Sequence, residues 1–140
     1  MATETTLTRP HIIELPKIPD QRGNLSFFQN DSPIPFTMER VYWIYDVPGG
    51  EQRGGHAYRT LQEFVVALSG SFEVLLSDGR EEQRFLLNRS YYGLYIPPLY
   101  WRQMENFSTN SLALIVADKA FDEGDYVREF SRFQQLRDAR

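Results

Sequence analysis

Between Pro10 and Asp118 no apolar run outlasts a single strand before Gly, Pro, Asn or Asp ends it. "HIIEL" stops at Pro16, "NLSFFQ" lies between Gly23 and Asn30, and "ERVYWIYDV" ends at Pro48-Gly49-Gly50. "EFVVALSG", "SFEVLLSDG", "EQRFLL", "YYGLYI", "WRQMENF" and "SLALIVAD" continue the series. Many short strands at close spacing, each bounded by turn residues, predict an all-β sandwich or barrel. Ser69-Gly70 is expected to close a hairpin between "EFVVALSG" and "SFEVLLSDG", and Pro97-Pro98 to break the chain between two strands. Only the tail changes period. Tyr126, Phe130, Phe133 and Leu136 fall on one face of a short C-terminal helix, with Asp125 as its N-cap, packed outside the sheet. With 140 residues the chain fits one domain over residues 9–140, behind a disordered stretch over residues 1–8.

Composition removes several classes of function. The chain has no cysteine, so disulfides, zinc–thiolate sites and thiol nucleophiles are excluded. A net charge of −4 and the lack of a long basic run argue against nucleic acid as a partner. No apolar leader or membrane-length run is present, and a soluble, cytoplasmic protein is expected. Aromatic content is high at 14%, and aromatics both favour strands and line sugar or base sites.

One constellation stands out. From Gly50 the chain runs five residues to His56, one to Tyr58, four to Glu63 and six to Gly70. This is the spacing of the first cupin motif, G-x5-H-x-H-x(3,4)-E-x6-G, with the second histidine replaced by Tyr58. Residues i and i+2 of a strand share a face, so His56 and Tyr58 are expected to point the same way, with Glu63 on the neighbouring strand. A second cupin motif survives in degraded form. Counted from Pro97, Arg102 takes the position of its histidine ligand and Asn106 follows. A guanidinium has no free lone pair and repels cations, so His56 and Glu63 alone remain of four usual ligands and no metal is expected. Arg22, Arg40, Arg53, His56, Tyr58, Glu63, Tyr95, Trp101 and Arg102 are the candidate inward residues. Arginines among aromatics suit a phosphorylated ligand with a flat ring, and a histidine suits proton transfer near neutral pH. Tyr95 and Trp101 fit plain core positions equally well. Arg40 and Arg53 also fit surface positions, and His11 reads as structural.

The stretches "DQRGNLSFF", "ERVYWIYDV", "EQRGGHAYRTLQEFVVALSGSFEVLLSDG", "YYGLYIPPLYWRQM" and "DYVREFSRF" resemble, in order, the nucleotide-sugar 3,4-ketoisomerases of the cupin fold, the WxcM-like family. The resemblance covers roughly residues 9–136. It implies a cupin or jelly-roll β-barrel and a metal-independent isomerase without an organic cofactor. Such an enzyme moves the keto group of dTDP-4-keto-6-deoxy-D-glucose from C4 to C3 through an enediolate. The product feeds dideoxy amino sugars for O-antigens, surface-layer glycans or antibiotics. The resemblance also implies a homodimer that exchanges its N-terminal strand. It casts His56 as the base and leaves Tyr58 in place of the second histidine, as acid or relay. Arg22 and Arg102 are similar in position to polar residues flanking the sugar in relatives, and Arg40, Arg53 and Arg59 are the cations available to the pyrophosphate. The alternatives are a non-catalytic cupin that binds nucleotide sugars, and a related sugar 3,5-epimerase.

Overall fold

The computed structural model describes residues 9–140, so the disorder expected over 1–8 lies outside the described residues. In chain order the strands are β1 His11–Glu14, β2 Lys17–Ile18, β3 Leu25–Ser26, β4 Arg40–Tyr45, β5 Arg53–Tyr58, β6 Glu63–Ser69 and β7 Phe72–Ser77. They continue with β8 Glu82–Leu87, β9 Tyr92–Ile96, β10 Trp101–Glu105, β11 Leu112–Ala117 and β12 Tyr126–Val127. A 3₁₀ turn, Glu123–Asp125, precedes β12, and one helix, α1, spans Phe130–Asp138.

Two five-stranded antiparallel sheets face each other, ordered β1-β9-β6-β11-β4 and β12-β5-β10-β7-β8, with β2 and β3 forming a small ribbon beside them. From β4 onward the chain switches sheet at each connection except the β7–β8 hairpin. This is the jelly-roll arrangement of a cupin. The main core lies between the sheets, where Val65, Phe72, Val74, Leu76, Leu94, Ile96 and Ile115 interdigitate. Each such side chain contributes about 1.5–3 kcal/mol relative to its exposed state. A second core covers the outer face of the first sheet. There Phe64, Val66, Tyr95 and Val116 pack under Leu15, Ile34 and Phe36. Strand β6 is therefore buried on both faces, which explains its unbroken apolar run.

Three expectations are corrected. First, "EFVVALSG" and "SFEVLLSDG" do not form a hairpin. Both edges of β6 are already taken by β9 and β11, so the chain crosses to the other sheet and β7 pairs with β8 and β10. Gly70 sits at the crossing with φ 67°, so close to Ser111 that a β-carbon would lie 2.8 Å from its Cα. Second, of "NLSFFQ" only Leu25–Ser26 is strand; Phe28 instead lays its ring edge-on against Phe64 over the outer core. Third, Asp125 does not cap the helix. Its buried carboxylate accepts from the backbone N–H of Thr60 and of Leu61 and from the Thr60 hydroxyl, tying down the β5–β6 turn. Glu129 takes the N-cap position of α1, and Tyr126 lies in a strand. The helix does pack outside the second sheet, with Phe133 against Ala57 and Val127 and beside Trp101.

Candidate functional site

Toward one end of the sandwich, the space between the sheets opens into a cavity of about 450 Å³. Its floor is the apolar core itself, through Val65, Val74, Ile96, Met104 and Ile115. One wall comes from β5, β10 and β12, and the facing wall from β4 and β6.

His56 is aimed by a local irregularity of the chain. Arg102 pairs with His56, but Gln103 pairs with Gly54, so Gly55 is an extra residue on β5. Gly54 and Gly55 have φ 97° and 79°, and a β-carbon on Gly54 would meet the Arg102 carbonyl oxygen at 3.0 Å. Only glycine fits such a bulge, which re-aims the residues beyond it. His56 and Tyr58 then face the cavity while Ala57 between them points to the helix side. The His56 Nε2 is buried and has no hydrogen-bond partner among the described residues. Its pKa is drawn down to about 4, first by burial and then by the positive charges of Arg102 and Arg128, against an opposing backbone hydrogen bond at Gly54. The ring is uncharged at neutral pH. A buried polar atom without a protein partner is placed to be completed by a ligand.

Tyr58 is buried beside it, ring edge to ring, with centroids 5.0 Å apart. Its hydroxyl lies 3.2 Å from that of Tyr126, and Arg102 stacks over its ring at 4.8 Å. Burial, the Glu63 charge and the bond to Tyr126 push its acidity far above the ordinary tyrosine value, against the pull of Arg102. Tyr58 is therefore held as a protonated hydroxyl. A tyrosine at this position serves as a hydrogen donor and not as a base.

Glu63 stands on the opposite sheet, not on the strand beside His56, and its two oxygens are both engaged. Arg102 Nη1 donates to Oε1 at 2.5 Å and the Tyr42 hydroxyl donates to Oε2 at 2.6 Å. Arg102 and Glu63 are 4% and 2% exposed, so this ion pair crosses the cavity fully desolvated. Such pairs hold geometry more than they add stability. The Tyr42 hydroxyl is pushed strongly up, first by burial and then by the Glu63 charge. Arg40 lies over the Tyr42 ring at 4.5 Å with a buried Nη1 that lacks a partner among the described residues. Arg53 and Arg128 line the mouth, Arg128 paired to Glu123 at 2.9 Å and stacked on Tyr126 at 4.3 Å. Besides the paired Arg102, three arginines line this polar cavity and suit an anionic ligand.

The fold thus gathers His56, Tyr58, Glu63, Arg102, Arg40 and Arg53 in one cavity and leaves three expected residues elsewhere. Arg22 is exposed and bonded to Asp20 at 3.0 Å. Tyr95 points to the outer core against His11 and Phe36, with its hydroxyl bonded to Gln62 and its pKa pushed up to about 12 by burial and Asp118. Trp101 packs on Phe130 and Phe133 of α1. The last two follow from alternation, since Ile96 and Arg102, their chain neighbours, take the cavity side. Tyr42, Gln52, Tyr126 and Arg128 line the cavity without having been singled out from the sequence. Tyr42 was available from its i+2 relation to Arg40. Tyr126 was not, because a two-residue strand leaves no period to read. Among the described residues no three His, Cys, Asp or Glu side chains gather into a metal-binding group.

The family model described as FdtA: WxcM-like, C-terminal matches residues 8–138. The chain belongs to that family. A relative from Aneurinibacillus thermoaerophilus, named TDP-4-oxo-6-deoxy-alpha-D-glucose-3,4-oxoisomerase, is 38% identical over 124 residues, 89% of each chain. Two solved structures from Campylobacter jejuni are also similar. WlaRB, a TDP-quinovose 3,4-ketoisomerase, has a TM-score of 0.87 with 35% identity over 91% of this chain and 98% of its own. WlaRA, a TDP-fucose-3,4-ketoisomerase, has a TM-score of 0.88 with 32% identity over 92% and 96%. Quinovose and fucose are the gluco- and galacto-configured 6-deoxyhexoses, which differ at C4, so the names of these two structures span both C4 configurations.

Proposed function

We propose that this WxcM-like chain is a 3,4-ketoisomerase of TDP-4-keto-6-deoxy-D-glucose in which His56 is the base. The observation that carries this reading is the His56 Nε2, buried at the cavity wall, unpaired among the described residues and uncharged at neutral pH. The C3 hydrogen of the substrate is acidified by the neighbouring C4 ketone, and a neutral imidazole is matched to remove it. The resulting enediolate carries charge on its oxygens, where the Tyr58 hydroxyl and the Arg102 cation supply hydrogen-bond and electrostatic stabilisation. Arg40, Arg53 and Arg128 offer charge to the pyrophosphate. One carbon is oxidised as its neighbour is reduced within a single molecule, so the conversion balances without an external oxidant or cofactor. The product is a 3-keto sugar suited to amination, which supports a role in the synthesis of deoxy amino sugars.

The same reading includes a homodimer. On edge strand β4 the outward residues Val41, Trp43 and Tyr45 are 52%, 56% and 60% exposed, an apolar row suited to a second copy. Strand β1 pairs with β9 of its own chain, and an exchanged dimer would make the same ladder between subunits.

The test is proton NMR of TDP-4-keto-6-deoxyglucose with the protein in D2O. Loss of the C3 proton with growth of a 3-keto sugar is expected. His56→Asn should lower the rate by about 10²–10⁴-fold while TDP binding is retained. Tight TDP binding without exchange would leave a binding module, and exchange at C5 would indicate an epimerase.

A further inference from the structure

The polar and apolar side chains of the cavity are sorted along its length. Strand register divides the lining into three rows. In the first, Arg40 and Glu63 both pair with Ala117, and on the facing sheet Tyr58 pairs with Tyr126. In the second, Tyr42 and Val65 both pair with Ile115, and across from them His56 pairs with Arg102. The third row holds Ile44 on β4, and on the other sheet Met104 paired with Val74. The rows of the two sheets match at both ends. Arg40 and Tyr126 share the ring of Phe121, at 5.4 and 5.6 Å, and Ile44 packs into the same core cluster as Met104 and Val74. Ile96, the partner of Glu63, is the apolar member of the first row. Arg53, the strand neighbour of Met104, is exposed at the mouth, whereas Met104 and Val74 are buried. One end of the cavity thus offers charge and hydrogen bonds, the other an aliphatic surface, and His56 stands at the boundary.

A 6-deoxyhexose is divided in the same way. The ketoisomerase reading, on which this inference rests, sets C3 and C4 of the sugar beside His56. C2 and C5 then lie to either side, across the ring from each other. C2 carries a hydroxyl, and C5 carries the C6 methyl. A ring turned with its C2 hydroxyl toward the Arg40 end directs its methyl to the Ile44 end. The reverse placement would press a hydroxyl against aliphatic side chains and set a methyl among charges, which costs free energy at both ends. We infer that Ile44, Val74 and Met104 are the residues that read carbon 6 of the sugar, accepting a methyl and discriminating against a hydroxymethyl. The size of the effect is bounded by chemistry. An aliphatic pocket disfavours an analogue that adds one hydroxyl by no more than about 10²-fold, so a preference of about 10–100-fold is expected.

The experiment is calorimetric titration of the intact protein with TDP-6-deoxyglucose and with TDP-glucose. The two differ by one oxygen, on C6, and neither has the ketone, so the contact is measured apart from the reaction. The wild-type protein should bind the 6-deoxy compound about 10–100-fold more tightly. Ile44→Thr and Met104→Gln bring a hydroxyl and an amide to the aliphatic end, and each should cut that ratio about tenfold. TDP alone, which lacks the sugar, should bind both variants as it binds the wild type, and this also reports that they fold. A wild-type ratio below about threefold overturns the inference. So does a ratio that stays at the wild-type value in Ile44→Thr, a change at a half-buried position, while TDP affinity is normal. Turnover of TDP-4-keto-6-deoxyglucose is followed separately. The expected preference without any 3-keto product would overturn the ketoisomerase reading and leave the assignment of carbon 6 standing.

Discussion

Acidification tests the environment of His56 most directly. A histidine in an unfolded chain has a pKa near 6.5, whereas His56 in the fold is drawn to about 4. At 1.36 kcal/mol per pKa unit, that difference corresponds to about 3 kcal/mol in favour of the neutral ring. Above pH 6.5 the ring is neutral in both states and its contribution to stability is constant. Between pH 6.5 and 4 the unfolded chain binds a proton that the folded protein refuses, so stability falls as pH falls. Below pH 4 both states are protonated and the loss, up to about 3 kcal/mol, is complete. Catalysis follows the folded-state value alone. Because the base form persists down to about pH 4, kcat/KM should stay level from pH 8 to about pH 5 and be halved near pH 4. NMR titration of the imidazole carbons provides the direct check. The chain has only two histidines, so a His11→Gln variant assigns both signals. Arg128→Ala removes one of the charges acting on the ring and should move the His56 midpoint upward. A His56 signal titrating between pH 6 and 7, with activity lost over the same range, would refute the account of a dry imidazole held beside cations.

Three substitutions probe the frame around it. Glu63→Gln leaves the buried Arg102 without its anion and should cost about 3–5 kcal/mol, read as a fall in Tm of about 10 °C or more; the pair Glu63→Leu with Arg102→Met should recover most of the loss, and a penalty below about 1 kcal/mol for the single change would show the pair to be solvated. Asp125→Ala strips the acceptor from two backbone N–H groups and the Thr60 hydroxyl, and should cost about 2–3 kcal/mol in a denaturant titration; an unchanged midpoint would mean that water replaces the carboxylate. Gly93→Ala places a β-carbon 2.6 Å from the Val65 carbonyl oxygen, a backbone atom that cannot turn aside, and should destabilise by about 1–3 kcal/mol; wild-type stability would show that β6 and β9 can part.

The fold class and half of the site were legible because both rest on local rules. Period-2 runs closed by turn residues define strands whatever their partners, and the spacing from Gly50 to Gly70 places His56 and Tyr58 on one face. Partnership between strands was not legible. Ser69-Gly70 looks like a hairpin turn, and nothing local says that β9 and β11 already occupy both edges of β6. The same limit applies to Tyr126. Its four-residue spacing from Phe130 continues a helical face, yet Asp125 is pulled into the β5–β6 turn by three hydrogen bonds, and the backbone after it pairs with β5 instead. A tertiary contact made by one residue redirected its neighbour into the cavity. Tyr95 and Trp101 failed for a simpler reason. Each is one step out of phase with a cavity residue: in β9, buried on both faces, the apolar run hides the phase, whereas on alternating β10 an inward Arg102 by itself turns Trp101 outward.

The site also accounts for the departures from the metal-binding cupin pattern as one connected change. An arginine at a ligand position, alone, would leave a buried cation and a buried carboxylate seeking partners. Joined across the cavity, Arg102 and Glu63 neutralise each other and take Tyr42 into the same network. Burial and the nearby Arg102 and Arg128 charges lower the proton affinity of His56. Packed under Arg102 and bonded to Tyr126, Tyr58 is a hydroxyl that stays a hydroxyl. One group able to accept a proton thus stands beside one that can only pass a hydrogen bond on.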